Sequence, residues 1–291
     1  MKKYPKGVLL FGSTGYLGPK LTETLISDGL NVYTVNRSTP TIKTIKDLTF
    51  PDFTQEYSSL VNLIKEEGID TIVNLTWKGS YGDDRFDREL QLSNLKNVEF
   101  LIKLSKDLNL GLINFGTVSQ LITAADGISP VSEYGNAKRE VSRLLARTFT
   151  NASGNKEQSL EIILGNVYGG EDLTNRFVSM ALSKLANDEP LSINSNGEQD
   201  FYPTFIKDFT ETVSSLIRKG ESGVYLLSRE VIPMKEFLTT AKKVLNSKSV
   251  ITFGKVIETS PNLVHNEAVK SRFDLEETIS LTTKSLQEQE G

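Results

Sequence analysis

The chain has 291 residues, 38% of them hydrophobic and 8% aromatic, which is typical of a globular protein with one large core and a smaller appended lobe. Its 33 basic and 37 acidic residues leave a net charge of −4, so we expect no nucleic-acid partner. The absence of cysteine excludes disulfides, thiolate nucleophiles and cysteine-ligated zinc, and a single histidine among scattered carboxylates predicts no metal site. No apolar run approaches the about 20 residues of a membrane helix, so we expect no membrane span and a cytoplasmic protein.

Short apolar runs alternate with amphipathic segments through the first 165 residues, a pattern that predicts a parallel sheet with crossover helices. The predicted strands are Gly7–Phe11, Asn31–Val35, Thr71–Leu75, Leu112–Phe115 and Leu160–Leu164. A helix closed by Gly29 follows the first strand, and further helices are predicted at Asp84–Leu108 and from Tyr134 to Thr148. The polar stretch Thr150–Gln158 is predicted to be a surface loop.

The pattern loosens after residue 170. Helices are predicted at Thr174–Ala186, Phe205–Lys219 and Met234–Leu245, with short strands at Val224–Leu227 and Ser249–Phe253 and a solvated tail at Gln287–Gly291. The sequence therefore predicts an α/β protein in which residues 1–165 form a doubly wound parallel sheet. Residues 166–291 are expected to form mainly a smaller substrate-binding lobe, from which some segments return to the sheet.

Three glycines follow the first strand at G-x-x-G-x-x-G spacing, in the turn GSTGYLG. Glycines there let the backbone turn tightly and approach a pyrophosphate, whose charge faces the free N–H groups and positive end of the next helix. The strand–turn–helix order predicts a Rossmann dinucleotide site, although such a turn can also merely pack a helix against a strand. The residues expected to contact the cofactor are Gly12, Ser13, Thr14, Gly15, Tyr16, Leu17 and Gly18.

The end of the second strand lacks the carboxylate that usually binds the ribose 2′-hydroxyl. Asn36, Arg37 and Ser38 stand there instead and are expected to contact the cofactor. A carboxylate would repel a 2′-phosphate, whereas Arg37 can bind one through charge-assisted hydrogen bonds. The sequence therefore favours NADP(H), with NAD(H) possible, and the alternative is that Arg37 only solvates a loop.

A phenol and an ammonium lie four residues apart at Tyr134 and Lys138, on one face of a predicted helix. Lys138 can there stabilise a phenolate and reach the nicotinamide ribose. Tyr16 and Lys20 have the same spacing inside the glycine turn, where a catalytic acid has no place, so spacing by itself decides nothing. Context favours Tyr134, because the strand before its helix ends at Thr117, whose hydroxyl can align a substrate oxygen.

Six motifs occur in the order and spacing of one family: GSTGYLG, VNLTW at 73–77, Asn94, INFGT at 113–117, YGNAK at 134–138 and GNVYGG at 165–170. Over nearly its whole length the chain resembles the extended short-chain dehydrogenase/reductase family of nucleotide-sugar epimerases, dehydratases and reductases. The resemblance implies that Tyr134 is the general acid/base, Lys138 its activator and Thr117 the substrate-aligning hydroxyl, with Ser119 a less favoured alternative to Thr117.

The resemblance also implies further contacts. Cofactor contacts are expected from Leu75, Thr76, Trp77 and Asn94. Trp77 or Tyr81 could stack on a sugar or nicotinamide, or simply pack. A nucleotide-diphosphate sugar is expected as substrate, in a homodimer, with contacts from Thr117, Asn166, Arg176, Phe177 and Ile193.

The segment 197–209 resembles a family motif, Gln-x-Arg-Asp-Phe, in the second lobe. Phe201 and Tyr202 stand where the Arg and Asp would be, so one cation that binds the diphosphate is missing. Candidates to replace it are Arg176, Lys207 and Arg272.

Departures from the family pattern narrow the choice among the reactions that the resemblance implies. In 4,6-dehydratases an Asp-Glu pair follows the catalytic Thr, whereas Val118 and Ser119 follow it here, and the cysteine of fucose-synthase-type epimerases is missing. The second lobe resembles the branch of CDP-paratose and CDP-abequose synthases. This implies NADPH-dependent reduction of the C4 ketone of a nucleotide-linked 4-keto-6-deoxy or dideoxy hexose in deoxysugar biosynthesis. The alternatives are a nucleotide-sugar 4-epimerase with tightly bound NAD and a non-catalytic NADP(H)-sensing protein.

Overall fold

The chain divides into two compact units. The computed structural model describes residues 5–122, 132–150, 158–170, 176–228, 231–256, 268–269 and 274–290. The first unit comprises Met1–Leu121, Ser129–Ile163 and Thr210–Tyr225, and the second comprises Ile122–Ile128, Leu164–Phe209 and Leu226–Gly291. Most of the predicted loop at 150–158 and the predicted helix start at Thr174 lie outside the described residues.

Strands alternate with helices along the described part of the chain. The strands are β1 Gly7–Phe11, β2 Asn31–Asn36, β3 Lys46–Thr49, β4 Thr71–Asn74, β5 Gly111–Thr117, β6 Ser159–Leu164, β7 Asn166–Tyr168, β8 Leu191–Ser195, β9 Asp200–Phe201, β10 Pro203–Phe205, β11 Gly223–Leu227, β12 Ile232–Pro233, β13 Ile251–Val256 and β14 Ala268–Val269. The helices are α1 Gly18–Ser27, α2 Tyr57–Glu67, α3 Arg88–Leu108, α4 Glu133–Phe149, α5 Phe177–Ala186, α6 Ile206–Lys219, α7 Met234–Val244 and α8 Leu275–Glu290.

The first unit is built on a sheet with the spatial order β3-β2-β1-β4-β5-β6-β11. The strand pairs from β1 to β5 are parallel. Strand order reverses between β1 and β4, so this sheet has the switch point at which doubly wound α/β proteins bind ligands. The predicted α/β Rossmann architecture is therefore confirmed.

The core of the first unit forms because its central strands are apolar on both faces. Leu9, Phe11 and Ile72 are fully buried, and the rings of Phe11 and Phe53 pack edge to face with centroids 5.0 Å apart. Apolar faces of α1, α2, α3 and α4 cover the sheet with leucine, isoleucine and valine. This core fixes the carboxyl ends of the parallel strands relative to one another.

The second unit has its own core of small paired strands and three helices. β8 and β13 are parallel, and α5, α7 and α8 contribute buried apolar side chains. The Phe201 and Phe237 rings lie 4.8 Å apart, and the Tyr168 hydroxyl lies 2.6 Å from Thr278 Oγ1. In this unit the last residues of β11 pair with β14.

All five predicted strands of the first unit and its three predicted helices are confirmed, with ends shifted by a few residues. The elements that were not predicted are the helices α2 and α8 and the strands β3, β7, β8, β9, β10, β12 and β14. The burial of α8 includes Thr278, Thr282 and Thr283, whose hydroxyls bond within the helix or to Tyr168. Because threonines occupy part of the buried face of α8, its apolar residues do not show a clear helical period. Residues 287–290, which were expected to be a solvated tail, form the last turn of this helix.

Gly254 provides a test of the β8–β13 pair. A Cβ at Gly254 would lie 2.0 Å from the carbonyl oxygen of Asn194, so Gly254→Ala must push the strands apart. We expect a loss of about 2–4 kcal/mol in the free energy of unfolding, measured by urea denaturation. Thr252→Ala, at an exposed site of the same strand, should change it by less than about 1 kcal/mol. Equal stability of the two variants would contradict the strand packing.

Candidate active site

The carboxyl ends of four parallel strands bring the predicted site residues of the first unit to one edge of the sheet. Phe11 at the end of β1 pairs with Val35 of β2 and with Asn74 of β4, and Asn74 pairs with Asn114 of β5. The residues that follow these positions are therefore neighbours along that edge. They are Gly12, Asn36, Arg37, Ser38, Leu75, Thr76, Trp77 and Thr117.

The three glycines of the turn have different surroundings. Gly12 has φ +88°, and a Cβ there would lie 3.1 Å from the backbone of Leu75 and Thr76. A Cβ at Gly18 would lie 2.4 Å from the Ser13 carbonyl oxygen, so glycine is required where α1 packs on the turn. A Cβ at Gly15 would meet only the Gly12 carbonyl oxygen, at 3.6 Å. Gly12 and Gly18 are therefore required for backbone packing in the turn, whereas Gly15 borders open space.

That open space lies at the start of α1. The N-cap residue, Leu17, donates no side-chain cap to the described helix, and no acidic residue lies in its first turn. Thr14 and Gly15 are exposed, and Tyr16 is half-buried. A helix start without a side-chain cap, behind an open glycine, has the space and the partial positive charge that a pyrophosphate requires. The residues present thus fit a dinucleotide.

The second Tyr-x-x-x-Lys spacing has an ordinary explanation. Lys20 Nζ lies 3.1 Å from a carboxylate oxygen of Glu23 on α1, and both side chains are 44% exposed. This is a surface ion pair between residues three apart on a helix. Lys20 therefore has a partner on its own helix, and the assignment of Tyr134 and Lys138 as the catalytic pair stays a prediction.

Asn36 takes the place of the usual carboxylate at the end of β2, but its amide bonds inward. Ser13 Oγ donates to Asn36 Oδ1 at 3.0 Å, and Asn36 Nδ2 donates to Thr34 Oγ1 at 3.0 Å. The buried amide therefore ties β2 to the glycine turn. Arg37 and Ser38 follow on the exposed side, and Arg37 has no hydrogen bond or ion pair with any residue in the described ranges.

The loop after β4 is held by two amide side chains of α3. Asn94 Oδ1 accepts from the Lys78 backbone N–H at 3.0 Å, and its Nδ2 donates to the Lys78 carbonyl at 2.9 Å. Gln91 donates to the Gly79 carbonyl at 2.8 Å and accepts from the Trp77 indole N–H at 2.9 Å. The buried amide of Asn94 thus anchors this loop, and its expected cofactor contact remains a prediction.

Tyr134 lies in the first turn of α4. Ser132 caps this helix by accepting a hydrogen bond from the Gly135 backbone N–H at 3.1 Å. The positive end of this helix therefore lies beside the Tyr134 phenol. The Tyr134 ring contacts the Trp77 ring edge to face with centroids 5.9 Å apart, and the Arg85 guanidinium carbon lies 5.6 Å from the Tyr134 centroid.

Lys138 lies one turn further along α4 and is buried. Its Nζ donates to the Phe115 carbonyl at 2.6 Å and lies 3.8 Å from the centroid of the Trp77 ring. Burial lowers the pKa of Lys138 to about 7, and the negative charge of Glu161 acts in the opposite direction. The structure therefore brings Tyr134, Lys138 and Trp77 into one cluster, with Trp77 packed against both functional side chains.

Thr117 and Ser119 occupy different positions at the end of β5. Thr117 Oγ1 accepts from the Ser119 backbone N–H at 3.3 Å, and within the described ranges its hydroxyl donates to no protein group. The Ser119 hydroxyl accepts from Arg85 at 3.2 Å. Thr117 is therefore better placed than Ser119 to donate a hydrogen bond to a ligand.

Sequence reasoning missed three residues of this site. Gln91 lies three residues before Asn94 on the same helix face, a spacing that could have indicated it. Gln120 accepts from the Thr117 backbone N–H at 2.9 Å and completes a capping box over three residues. Arg85 reaches Tyr134 from a 3-10 turn at Asp83–Phe86, a contact that no local pattern signals.

The residues expected to contact substrate lie in the second unit, except Thr117. Asn166 exchanges hydrogen bonds with the Tyr202 backbone, and Ile193 belongs to the core. Arg176 immediately precedes α5, and the Phe177 ring packs against Phe201 with centroids 6.3 Å apart. Their contacts with a substrate remain predictions.

The three candidate replacement cations in the second lobe are not equivalent in the structure. Arg176 stands at the start of α5, and Lys207 is exposed in the first turn of α6. Arg272 lies outside the described residues.

Comparison with known sequences connects these features to one family. The sequence model described as the NAD dependent epimerase/dehydratase family matches residues 8–227. A CDP-abequose synthase of Yersinia pseudotuberculosis is 28% identical over 227 residues, which are 75% of this chain and 75% of that protein. A dTDP-6-deoxy-L-talose 4-dehydrogenase (NAD(P)(+)) of Kitasatospora kifunensis is 25% identical over 224 residues, 73% of this chain and 68% of that protein.

Solved structures share the fold. UDP-glucose 4-epimerase of Thermotoga maritima, crystallised with UDP-glucose, superposes with a TM-score of 0.79 at 16% identity, covering 98% of this chain and 100% of that one. The dTDP-glucose 4,6-dehydratase of Bacillus anthracis, in complex with NAD, superposes with a TM-score of 0.78 at 13% identity, covering 98% of this chain and 97% of that one.

Among the described residues, no helix has the length and apolar character needed to cross a bilayer.

Gly15 and Gly18 form a matched pair for testing the dinucleotide site. Gly15→Val should leave the chain folded, because its side chain would enter open space, yet it should weaken NADPH binding at least about 100-fold by occupying the pyrophosphate position. Gly18→Ala should instead lower the melting temperature, because its Cβ meets backbone. NADPH fluorescence titration and thermal melts measure both. Wild-type NADPH affinity in a folded Gly15→Val variant would contradict the assignment of this turn.

Proposed function

Because the chain belongs to the NAD-dependent epimerase/dehydratase family, whose members include oxidoreductases, we propose that it reduces a nucleotide-linked sugar with NADPH. The substrate is the C4 ketone of a 4-keto-6-deoxy or dideoxy hexose. The observation that carries this proposal is the cluster of Tyr134, Lys138 and Trp77 at the strand edge that also holds Thr117. The names of the two curated relatives support a nucleotide-linked deoxysugar, and one names position 4.

NADPH, when bound, supplies a hydride, and the chain must supply the matching proton. Reduction of a C4 ketone leaves negative charge on its oxygen, so a proton donor at that oxygen lowers the barrier. The Tyr134 phenol is the donor in this proposal. The Lys138 ammonium, the Arg85 guanidinium and the positive end of α4 all stabilise the phenolate that remains.

Thr117 and Trp77 orient the substrate in this proposal. The Thr117 hydroxyl, which has no acceptor in the described part of the protein, donates to the C4 oxygen and holds it toward Tyr134. Trp77 excludes water from Lys138, because its ring covers the ammonium at 3.8 Å.

Preference for NADP(H) is part of the proposal. Asn36 is neutral and bonded to Ser13 and Thr34, so it does not repel a 2′-phosphate. Arg37 stands next to it on the exposed side and supplies the positive charge. We also retain the homodimer expected from the family as part of this proposal.

One assay compares the competing functions. Purified protein is tested for NADPH oxidation at 340 nm against CDP-, dTDP-, GDP- and UDP-linked 4-keto-6-deoxyhexoses, and turnover of at least one supports the reductase. Tightly bound NAD together with epimerisation of a sugar nucleotide would instead identify a 4-epimerase. NADPH binding without turnover of any substrate would identify a sensor.

Arg37→Ala tests the cofactor preference. We expect NADPH binding to weaken by about 1.5–3 kcal/mol, or roughly 10- to 150-fold in Kd, because a charge-assisted contact is lost, while NADH binding is nearly unchanged. Isothermal titration with both cofactors measures the difference. Arg143→Ala, which removes an exposed arginine paired with Glu140 on α4, serves as the control. An equal loss for both cofactors would show that Arg37 is structural.

Tyr134→Phe tests the proton donor. Hydride transfer followed by stopped flow should slow by roughly 10²–10⁴-fold while NADPH affinity stays nearly intact, because only the general acid is lost. Thr117→Val should cost less, and Lys138→Met should reduce both rate and NADPH affinity. Tyr57→Phe, which removes a phenol bonded to Asp107, should leave the rate unchanged. Wild-type rates in Tyr134→Phe would remove α4 from the mechanism.

A further inference from the structure

A buried carboxylate lies behind the catalytic helix. Glu161 is the charged residue of β6, whose sequence is SLEIIL, and it is 3% exposed. The Ser142 hydroxyl of α4 donates to Glu161 Oε1, and Gln120 Nε2 donates to the same oxygen at 3.4 Å. A carboxylate withdrawn from water costs free energy unless it is bonded or serves a nearby charge. We call Glu161, Ser142 and Gln120 the Glu161 cluster.

The Glu161 cluster is connected to Thr117 through Gln120. The Gln120 amide oxygen accepts from the Thr117 backbone N–H at 2.9 Å, and its nitrogen donates to Ser142 Oγ at 2.6 Å and to Glu161. An amide has one accepting end and one donating end. Because Glu161 offers an acceptor, it orients the Gln120 nitrogen toward β6 and the oxygen toward Thr117.

The Glu161 cluster also lies beside Lys138. Ser142 follows Lys138 by four residues on α4, so the two side chains share a helix face. The ammonium is bonded to the Phe115 carbonyl and covered by Trp77, both uncharged, and burial disfavours its charged form. Glu161 acts in the opposite direction and favours that charged form.

Within the described ranges, two further charged side chains contact residues of this neighbourhood, and both are cations. Arg85 approaches the Tyr134 ring from the 3-10 turn at Asp83–Phe86, and Arg139 of α4 donates to the Gln120 carbonyl at 2.9 Å. Among these groups, Glu161 carries the negative charge, and that charge opposes the effect of burial on Lys138.

We propose that Glu161 is a positioning residue that keeps the buried Lys138 ammonium charged and, through Gln120, fixes Thr117 at the end of β5. The role of these groups in reduction rests on the proposed function. The electrostatic coupling between Glu161 and Lys138 does not, and it can be measured without substrate. Glu161 itself transfers no proton to substrate.

The sign of the effect follows from the charges. Activity requires the charged form of Lys138, which is lost as pH rises through its pKa. Removing the negative charge of Glu161 lowers that pKa, so Glu161→Gln should lose activity at lower pH than the wild type. Glutamine keeps an oxygen that can accept from Ser142 and Gln120, so the substitution removes the charge and retains the geometry.

The first measurement is a titration of Lys138 by ¹³C NMR in protein labelled at lysine Cε, with Lys138→Met used to assign the signal. We expect the Lys138 midpoint in Glu161→Gln to fall by at least about one pH unit relative to the wild type. Glu140→Gln is the matched control, since Glu140 lies two residues after Lys138 on α4 but is exposed and paired with Arg143 and Arg147. Its Lys138 midpoint should not move.

An unchanged Lys138 midpoint in folded Glu161→Gln would overturn the proposal and make Glu161 a purely structural residue. If Glu161→Gln does not fold, the proposal is tested by titrating the Glu161 carboxyl group in Lys138→Met. The Glu161 carboxyl signal should then titrate at higher pH in Lys138→Met than in the wild type, because a favourable cation has been removed. An unchanged carboxyl midpoint would overturn the proposal equally.

The second measurement is the pH profile of stopped-flow hydride transfer. The alkaline limb should move to lower pH in Glu161→Gln by the same interval as the NMR midpoint, with the Kd for NADPH at pH 6 within about threefold of the wild type. A rate that falls equally at every pH would overturn the electrostatic role. If the wild-type protein reduces none of the 4-keto sugar nucleotides, the proposed function is wrong. The NMR titration then still tests the electrostatic coupling between Glu161 and Lys138.

Discussion

Much of the active-site arrangement depends on a lysine ammonium that is kept charged away from water. Lys138 Nζ has a carbonyl on one side and an indole ring on the other, and neither can carry a formal negative charge. Such a group tends to lose its proton, which would remove the charge that stabilises the proposed phenolate of Tyr134. The opposing field of Glu161 from β6 counters that tendency. Strand, helix and loop must therefore meet at fixed distances for the chemistry to be possible.

The side-chain amides of asparagine and glutamine fix the distances between these elements. Asn36 joins β2 to the glycine turn, Asn94 and Gln91 hold the loop after β4, and Gln120 holds the end of β5. An amide fixes geometry by donating and accepting at once, without adding charge to the site. The electrostatic field around Tyr134 is thus left to the charged residues near it. This separation lets loops be anchored firmly without disturbing the protonation of the catalytic pair.

Sequence reasoning succeeded where local pattern determines structure. Apolar runs and glycine spacing predicted β1, the turn and α1, and the Tyr134–Lys138 spacing in its strand context predicted a pair that the structure brings together. It failed where side chains distant in sequence meet. Glu161 is the charged residue of a strand that is otherwise apolar after Ser159, and the sequence shows this, but its neighbours Ser142 and Gln120 belong to other elements. α8 was missed because threonines satisfied within a helix mask its buried face.

The departure from the family motif at Phe201 has a packing cause. Its ring is buried against Phe177 and Phe237, so an arginine there would place a charge among aromatic rings. The second unit therefore has an aromatic core where the family motif has a cation, and the diphosphate of the proposed substrate would need a different cation. Arg176 is suited to this by position, since it directly precedes α5, whose first N–H groups add partial positive charge. In the proposed function, the start of α5 could thus compensate for the missing motif residue.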